Sequence, residues 1–143
     1  MALKTLNTLI KLHKRRVDVL RREMIAFEEE RRQLLELSAR LHAEYASESE
    51  LAAAEPKVAS FFGGYSKNMK KKQEKIVEEV KRIDTAIAAK AEAIRSEFSE
   101  QKKYEVAREH ANKRLAEEAQ RRVQQRFDEI GAQQYQKAKG TPA

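Results

Sequence analysis

Residues 3–45 read LKTLNTLIKLHKRRVDVLRREMIAFEEERRQLLELSARLHAEY. Stepping alternately by three and four from Leu3 meets Leu6, Ile10, His13, Val17, Leu20, Met24, Phe27, Arg31, Leu34, Ser38, Leu41 and Tyr45; ten of these thirteen positions are apolar. A repeat of about 3.5 residues, held over about six heptads, marks a helix laid along a partner helix. The three exceptions fit such a seam. Ser38 is small, Arg31 can carry its charge off the seam on its aliphatic stem, and the His13 ring can be buried with one hydrogen bond.

A second apolar series supplies the partner. It runs Met69, Ile76, Val80, Ile83, Ile87, Ala91, Ile94, Phe98, then Tyr104, Ala107, Ala111, Leu115, Ala119, Val123, Phe127 and Ile130. No glycine interrupts residues 65–130, so one helix of more than sixty residues fits there. Between the series lies SFFGGYSKNMKKK, residues 60–72. Pro56 disfavours helical geometry at Glu55, Gly63 and Gly64 permit a reversal, and Ser66 or Asn68 can cap a new helix. The expectation is an all-α protein, an elongated antiparallel two-helix coiled-coil hairpin forming a single domain over 1–143. Helix one covers about 3–52, the tip about 53–66, helix two about 67–131, and the tail beyond Gly131 frays. From Leu115 the apolar spacing loosens beyond 3.5 and the heptad supercoil should relax.

Composition agrees with this class. The chain has 143 residues, 37% charged and 6% aromatic, with four Gly, two Pro and no Trp. So few turn-formers exclude a layered α/β or all-β domain, and 41% hydrophobic residues in regular order exclude a disordered chain. Absence of Cys removes disulfides, thiolate metal sites and cysteine nucleophiles. No stretch approaches the roughly 20 apolar residues of a membrane span. The N-terminal charges follow the apolar residues, the wrong order for a secretory signal. A cytoplasmic, monomeric protein with no direct membrane insertion is expected.

The net charge of +7 is distributed in blocks. Residues 1–22 carry seven Lys/Arg against one Asp, and residues 23–55 carry three against nine acids. Residues 56–75 carry six lysines against one Glu, and residues 111–143 carry seven Lys/Arg against four acids. A hairpin brings the first and last blocks together as a basic end. Helix two should overhang helix one there by roughly two or three turns, given about 1.5 Å per residue. Val123, Phe127 and Ile130, framed by Arg122 and Arg126, then lack cover and lie near Lys14, Arg15 and Arg16. At the other end Phe61, Phe62, Tyr65 and Met69 either plug the seam or form a binding surface beside Lys67, Lys70, Lys71 and Lys72.

Nothing in the sequence points to catalysis. There is no phosphate-binding glycine loop, and His13, His42 and His110 form no HxxxH pair; a metal site would need His13 and His110 to meet across the hairpin. Glu residues stand three or four positions from Lys or Arg, as on solvated helix faces. No cofactor is expected. The run KLHKRRVDVLRR suggests a basic region for nucleic acid, but Ile10, Val17 and Leu20 carry the seam straight through it. A structural coiled-coil scaffold is the other alternative, disfavoured by the irregular, Ala-rich spacing beyond Leu115.

Three segments together resemble the flagellar export protein FliJ family over nearly the whole chain. LNTLIKLHKRRVDVLRREM is similar to that family's opening helix, and FFGGYSK to the aromatic–Gly–aromatic segment of one of its branches. EQKKYEVAREHANKRLAEEAQRRVQQRFDEIG resembles its closing helix, with Phe127-Asp128-Glu129-Ile130-Gly131 where the family often has Leu-Asp-Glu-Ile-Ala. The resemblance implies a cytoplasmic connector of the flagellar type III export apparatus, similar to the γ stalk of rotary ATPases. Its implied partners are the hexameric export ATPase, the cytoplasmic region of the membrane export gate, and export chaperones. Arg122, Val123, Arg126, Phe127 and Ile130 are the residues expected at the ATPase ring. Phe61, Phe62, Tyr65 and Met69 are those expected at the gate.

Overall fold

A computed structural model describes residues 2–140. It consists of two helices, α1 (Leu3–Ala54) and α2 (Pro56–Gly140), with no strand among the described residues. All thirteen positions of the repeat in residues 3–45 are buried or half-buried, whereas the residues between them are mostly exposed. The seam is therefore the one the spacing predicts. The two helices pack against each other in two units, residues 15–97 and residues 2–14 with 98–140.

In the unit of residues 15–97, cross-helix pairs fix an antiparallel course. Arg16 pairs with Glu97 at 3.8 Å, Glu23 with Lys90, and Arg31 Nε with Asp84 at 2.7 Å. Ser38 Oγ donates to Gln73 Oε1 at 2.8 Å, while Gln73 Nε2 donates back to the Ser38 carbonyl at 3.1 Å. Tyr45 and Ser66 hydroxyls lie 3.4 Å apart. As the α1 partner advances from 16 to 45, the α2 partner retreats from 97 to 66. Val17, Met69, Ile76 and Ile83 are the buried apolar residues of this unit. Exposed ion pairs contribute at most about 1 kcal/mol each, so apolar burial holds the helices while the pairs set register.

The reversal sits at Glu55, not at the glycines. Glu55 is the single non-helical residue between the helices. Its amide closes α1 by donating to the Leu51 carbonyl at 3.0 Å, and its carbonyl opens α2 by accepting from Val58 and Ala59, each at 3.2 Å. Pro56 is the reason. Its ring pushes Glu55 out of helical geometry, while its fixed φ and missing N–H suit the first helical position. The expected tip of 53–66 thus contracts to one residue, and helix two begins at Pro56 instead of 67. Gly63 and Gly64 lie inside α2 without positive φ. Helical Gly costs about 1 kcal/mol relative to Ala, and cross-helix packing of Phe62 and Tyr65 overrides it. Ser66 and Asn68 cap nothing; Ser66 instead faces Tyr45.

In the other unit Leu6, Ile10 and His13 of α1 are buried, as is Gln101 of α2. His13 stacks on Tyr104 with centroids 5.5 Å apart, and Arg108 Nη1 donates to Asn7 Oδ1 at 3.1 Å. Phe98, expected in the seam, is 41% exposed, while Gln101 is buried. Beyond Ala111 every described residue of α2 is exposed. The helix also passes Gly131, where an end was expected, and runs to Gly140. Lys137 and Lys139 in its last turn complement the helix dipole.

Candidate functional site

Two surfaces were expected to bind partners, and the fold treats their residues differently. At the reversal, Phe62 lies 5.5 Å from Tyr45 and 6.0 Å from Tyr65, centroid to centroid, as tilted pairs. Phe62 and Tyr65 are half-buried, and Met69 is buried. These three close the end of the seam. Phe61, one residue earlier and about 100° around the helix, is 79% exposed. Only Phe61 of the four is therefore open to a partner. Tyr65 carries a buried hydroxyl facing the Glu44 and Glu48 carboxylates. Burial raises its pKa, and the two carboxylates push the same way.

The second surface is the uncovered end of α2. Residues 112–140, all exposed, extend about 40 Å at about 1.5 Å per residue. The exposed run is about eight turns, where an overhang of two or three was expected. Moving the reversal back to Glu55 shifts α1 against α2, and the helix continues past Gly131. Val123, Phe127 and Ile130 are exposed, Phe127 at 65%. With Ala119, Arg122 and Arg126 they line a shallow groove along the helix. Two further large apolar residues are exposed on this stretch of α2. Leu115 lies ahead of the Val123–Phe127–Ile130 stripe, and Tyr135 lies two steps of four beyond Phe127. Tyr135 was not anticipated because Gly131 reads as a helix end.

The expected neighbours of this stripe are elsewhere. Lys14 lies close enough to Glu105 to help lower its pKa, and Arg16 pairs with Glu97. Ala2 and Leu3 reach the level of Ala111, Leu115 and Glu118, lining one hollow with them. The basic frame of the stripe is therefore supplied by α2 alone, through Arg121, Arg122 and Arg126.

His13 meets Tyr104, not His110, which is exposed. Among the described residues no group of three or more His, Asp or Glu is placed to hold a metal ion, and no helix is long and apolar enough to cross a membrane. Comparison with protein-family models, with curated proteins and with solved structures yields no match to this chain.

Proposed function

We propose that this chain is a non-enzymatic connector of the flagellar type III protein export apparatus, working in the cytoplasm at the inner face of that apparatus. The exposed C-terminal part of α2 engages the hexameric export ATPase like a central stalk, the reversal meets the cytoplasmic region of the export gate, and export chaperones are further partners. The observation that carries this reading is the uncovered helix of residues 112–140. Val123, Phe127 and Ile130 stand in water over about two turns, and each contributes about 1.5–3 kcal/mol when fully buried, which favours a partner that covers them. Arg122 and Arg126 beside them suit a ring opening lined by apolar and acidic groups. The family resemblance supplies the identity of that ring. Apolar contact holds the complex, and the arginines steer encounter and orientation.

At the other end Phe61 is the side chain available to the gate, with Phe62, Tyr65 and Met69 holding the helix end beneath it. ATPase stimulation and binding by the full chain test the reading. Phe127→Ala should weaken ATPase binding by about 1–3 kcal/mol through lost burial. Replacing Arg122 and Arg126 with Gln should slow association, an effect that fades as salt screens the charges. Neither change should alter the unfolding temperature, because neither side chain is covered by α1. Unchanged ATPase binding by a chain ending at Arg122 would remove the ring from this surface. Lengthwise self-association by that chain would then favour the scaffold reading.

A further inference from the structure

The lysines near the reversal have no role in the fold. Residues 56–75 carry Lys57, Lys67, Lys70, Lys71, Lys72 and Lys75, no Arg, and Glu74 as the one acid. All six lysines are exposed, and none forms an ion pair. The buried line of this part of α2 runs Val58, Phe62, Tyr65, Met69, Gln73 and Ile76. Each residue immediately before one of these stands about 100° around the helix. That outer line reads Lys57, Phe61, Gly64, Asn68, Lys72 and Lys75. Lys67, Lys70 and Lys71 spread the charge further around the solvent side.

We propose that this outer face of α2 is a peripheral docking surface for an anionic lipid bilayer, with Phe61 entering the headgroup layer. This rests on the charge and geometry of the reversal, independently of the export reading, and gives the Phe61 ring to lipid in place of the gate. Three observations favour a bilayer over a shaped protein site. The cations are all Lys, mobile point charges without the planar fork that favours bidentate pairing. They fan over half the helix circumference instead of forming one stripe, as suits a fluid layer of phosphates. The Phe61 ring is also open to solvent, 79% exposed, and Gly63 and Gly64 add no side chain beside it. Phe61 and the lysines thus combine an apolar anchor with a polybasic field, the two signals that surface binding needs. The acids Glu44 and Glu48 lie on the Tyr65 side, so repulsion turns α1 away from the lipid and lays the outer face of α2 on it.

The test is co-sedimentation of the full chain with vesicles of phosphatidylcholine alone and of phosphatidylcholine mixed with phosphatidylglycerol. Binding is expected only to the phosphatidylglycerol vesicles, and it should disappear near 1 M salt, where the Debye length falls to about 3 Å. Replacing Lys70, Lys71 and Lys72 with Gln should weaken it about 100-fold, at about fivefold per lysine. Replacing Arg121, Arg122 and Arg126 with Gln removes as much charge from the other end and should leave binding within about twofold. The chain has no Trp, so Phe61→Trp introduces a single indole whose emission should shift to the blue on the anionic vesicles. Circular dichroism confirms that each variant keeps its helix. Equal binding to both vesicle types would overturn the proposal, as would equal losses from the two charge triples. An unshifted emission with polyglutamate displacing the vesicles would assign the surface to acidic protein instead.

Discussion

Glu105 shows how a single half-buried carboxylate can be tied to the hairpin's electrostatics. Gln101 Nε2 donates to it at 3.0 Å, while the Gln101 carbonyl oxygen is buried without a partner. That hydrogen bond first, then the Lys102, Lys14 and Arg108 charges, lower its pKa below the ordinary 4.5, against a smaller opposing effect of desolvation. A depressed folded-state pKa means the unfolded chain binds protons first as pH falls. The stabilisation is complete above pH 4.5 and is lost as pH drops through the folded value. Glu105→Gln should therefore flatten the acid limb of the unfolding temperature measured by circular dichroism, leaving neutral pH little changed. Near the reversal, residues close in sequence should differ sharply in the same measurement. Met69→Ala opens a cavity in the seam and should cost about 2–5 kcal/mol. Phe61→Ser touches only an exposed ring and should stay within about 0.5 kcal/mol. Equal losses at the two positions would mean that Phe61 belongs to the seam.

At the scale of the helices, the glycines give the sharpest expectation. Gly63 and Gly64 have ordinary helical φ, and a Cβ at either position meets nothing within 4 Å. Gly63→Ala and Gly64→Ala should each stabilise the protein by about 0.5–1 kcal/mol, chiefly by narrowing the unfolded ensemble. A turn at these residues would make the same changes destabilising, so the sign alone separates the two. The α1 seam was legible in the sequence because its period repeats over many turns, and even its exceptions found partners: Ser38 with Gln73, Arg31 with Asp84, His13 with Tyr104. The reversal was misplaced because Gly and Pro both read as breakers. Only Pro56 acts as one, since a proline restricts its predecessor sterically while a helical glycine is merely costly. Gln73 and Gln101 escaped notice because an amide looks solvent-facing until its distant neighbours are known. At the candidate binding surfaces, the Val123–Phe127–Ile130 stripe is readable from spacing alone. The exposure of Phe61 beside half-buried Phe62 is not, because the helix phase there depends on where α2 begins.

Along the whole molecule, burial is distributed unevenly, and stability should follow it. Ile10 and Ile83 are each only 2% exposed, whereas every residue from 112 to 140 is exposed. An isolated helix of that length is marginal in water, because nucleation is costly and nothing packs on its apolar face. Amides of residues 119–140 should therefore exchange with solvent through local opening of low free energy, while those of residues 69–83 approach the global limit. Hydrogen exchange followed by mass spectrometry on the free chain should show this gradient. Adding the export ATPase should slow exchange first around residues 119–130, where Arg122, Val123, Arg126, Phe127 and Ile130 lie. Partner binding orders a segment only by burying what was exposed, so protection and affinity should fall together in Phe127→Ala. Protection confined to residues 2–14, with 119–130 unchanged, would place the ATPase contact on α1, and the uncovered stripe of α2 would then belong to another partner.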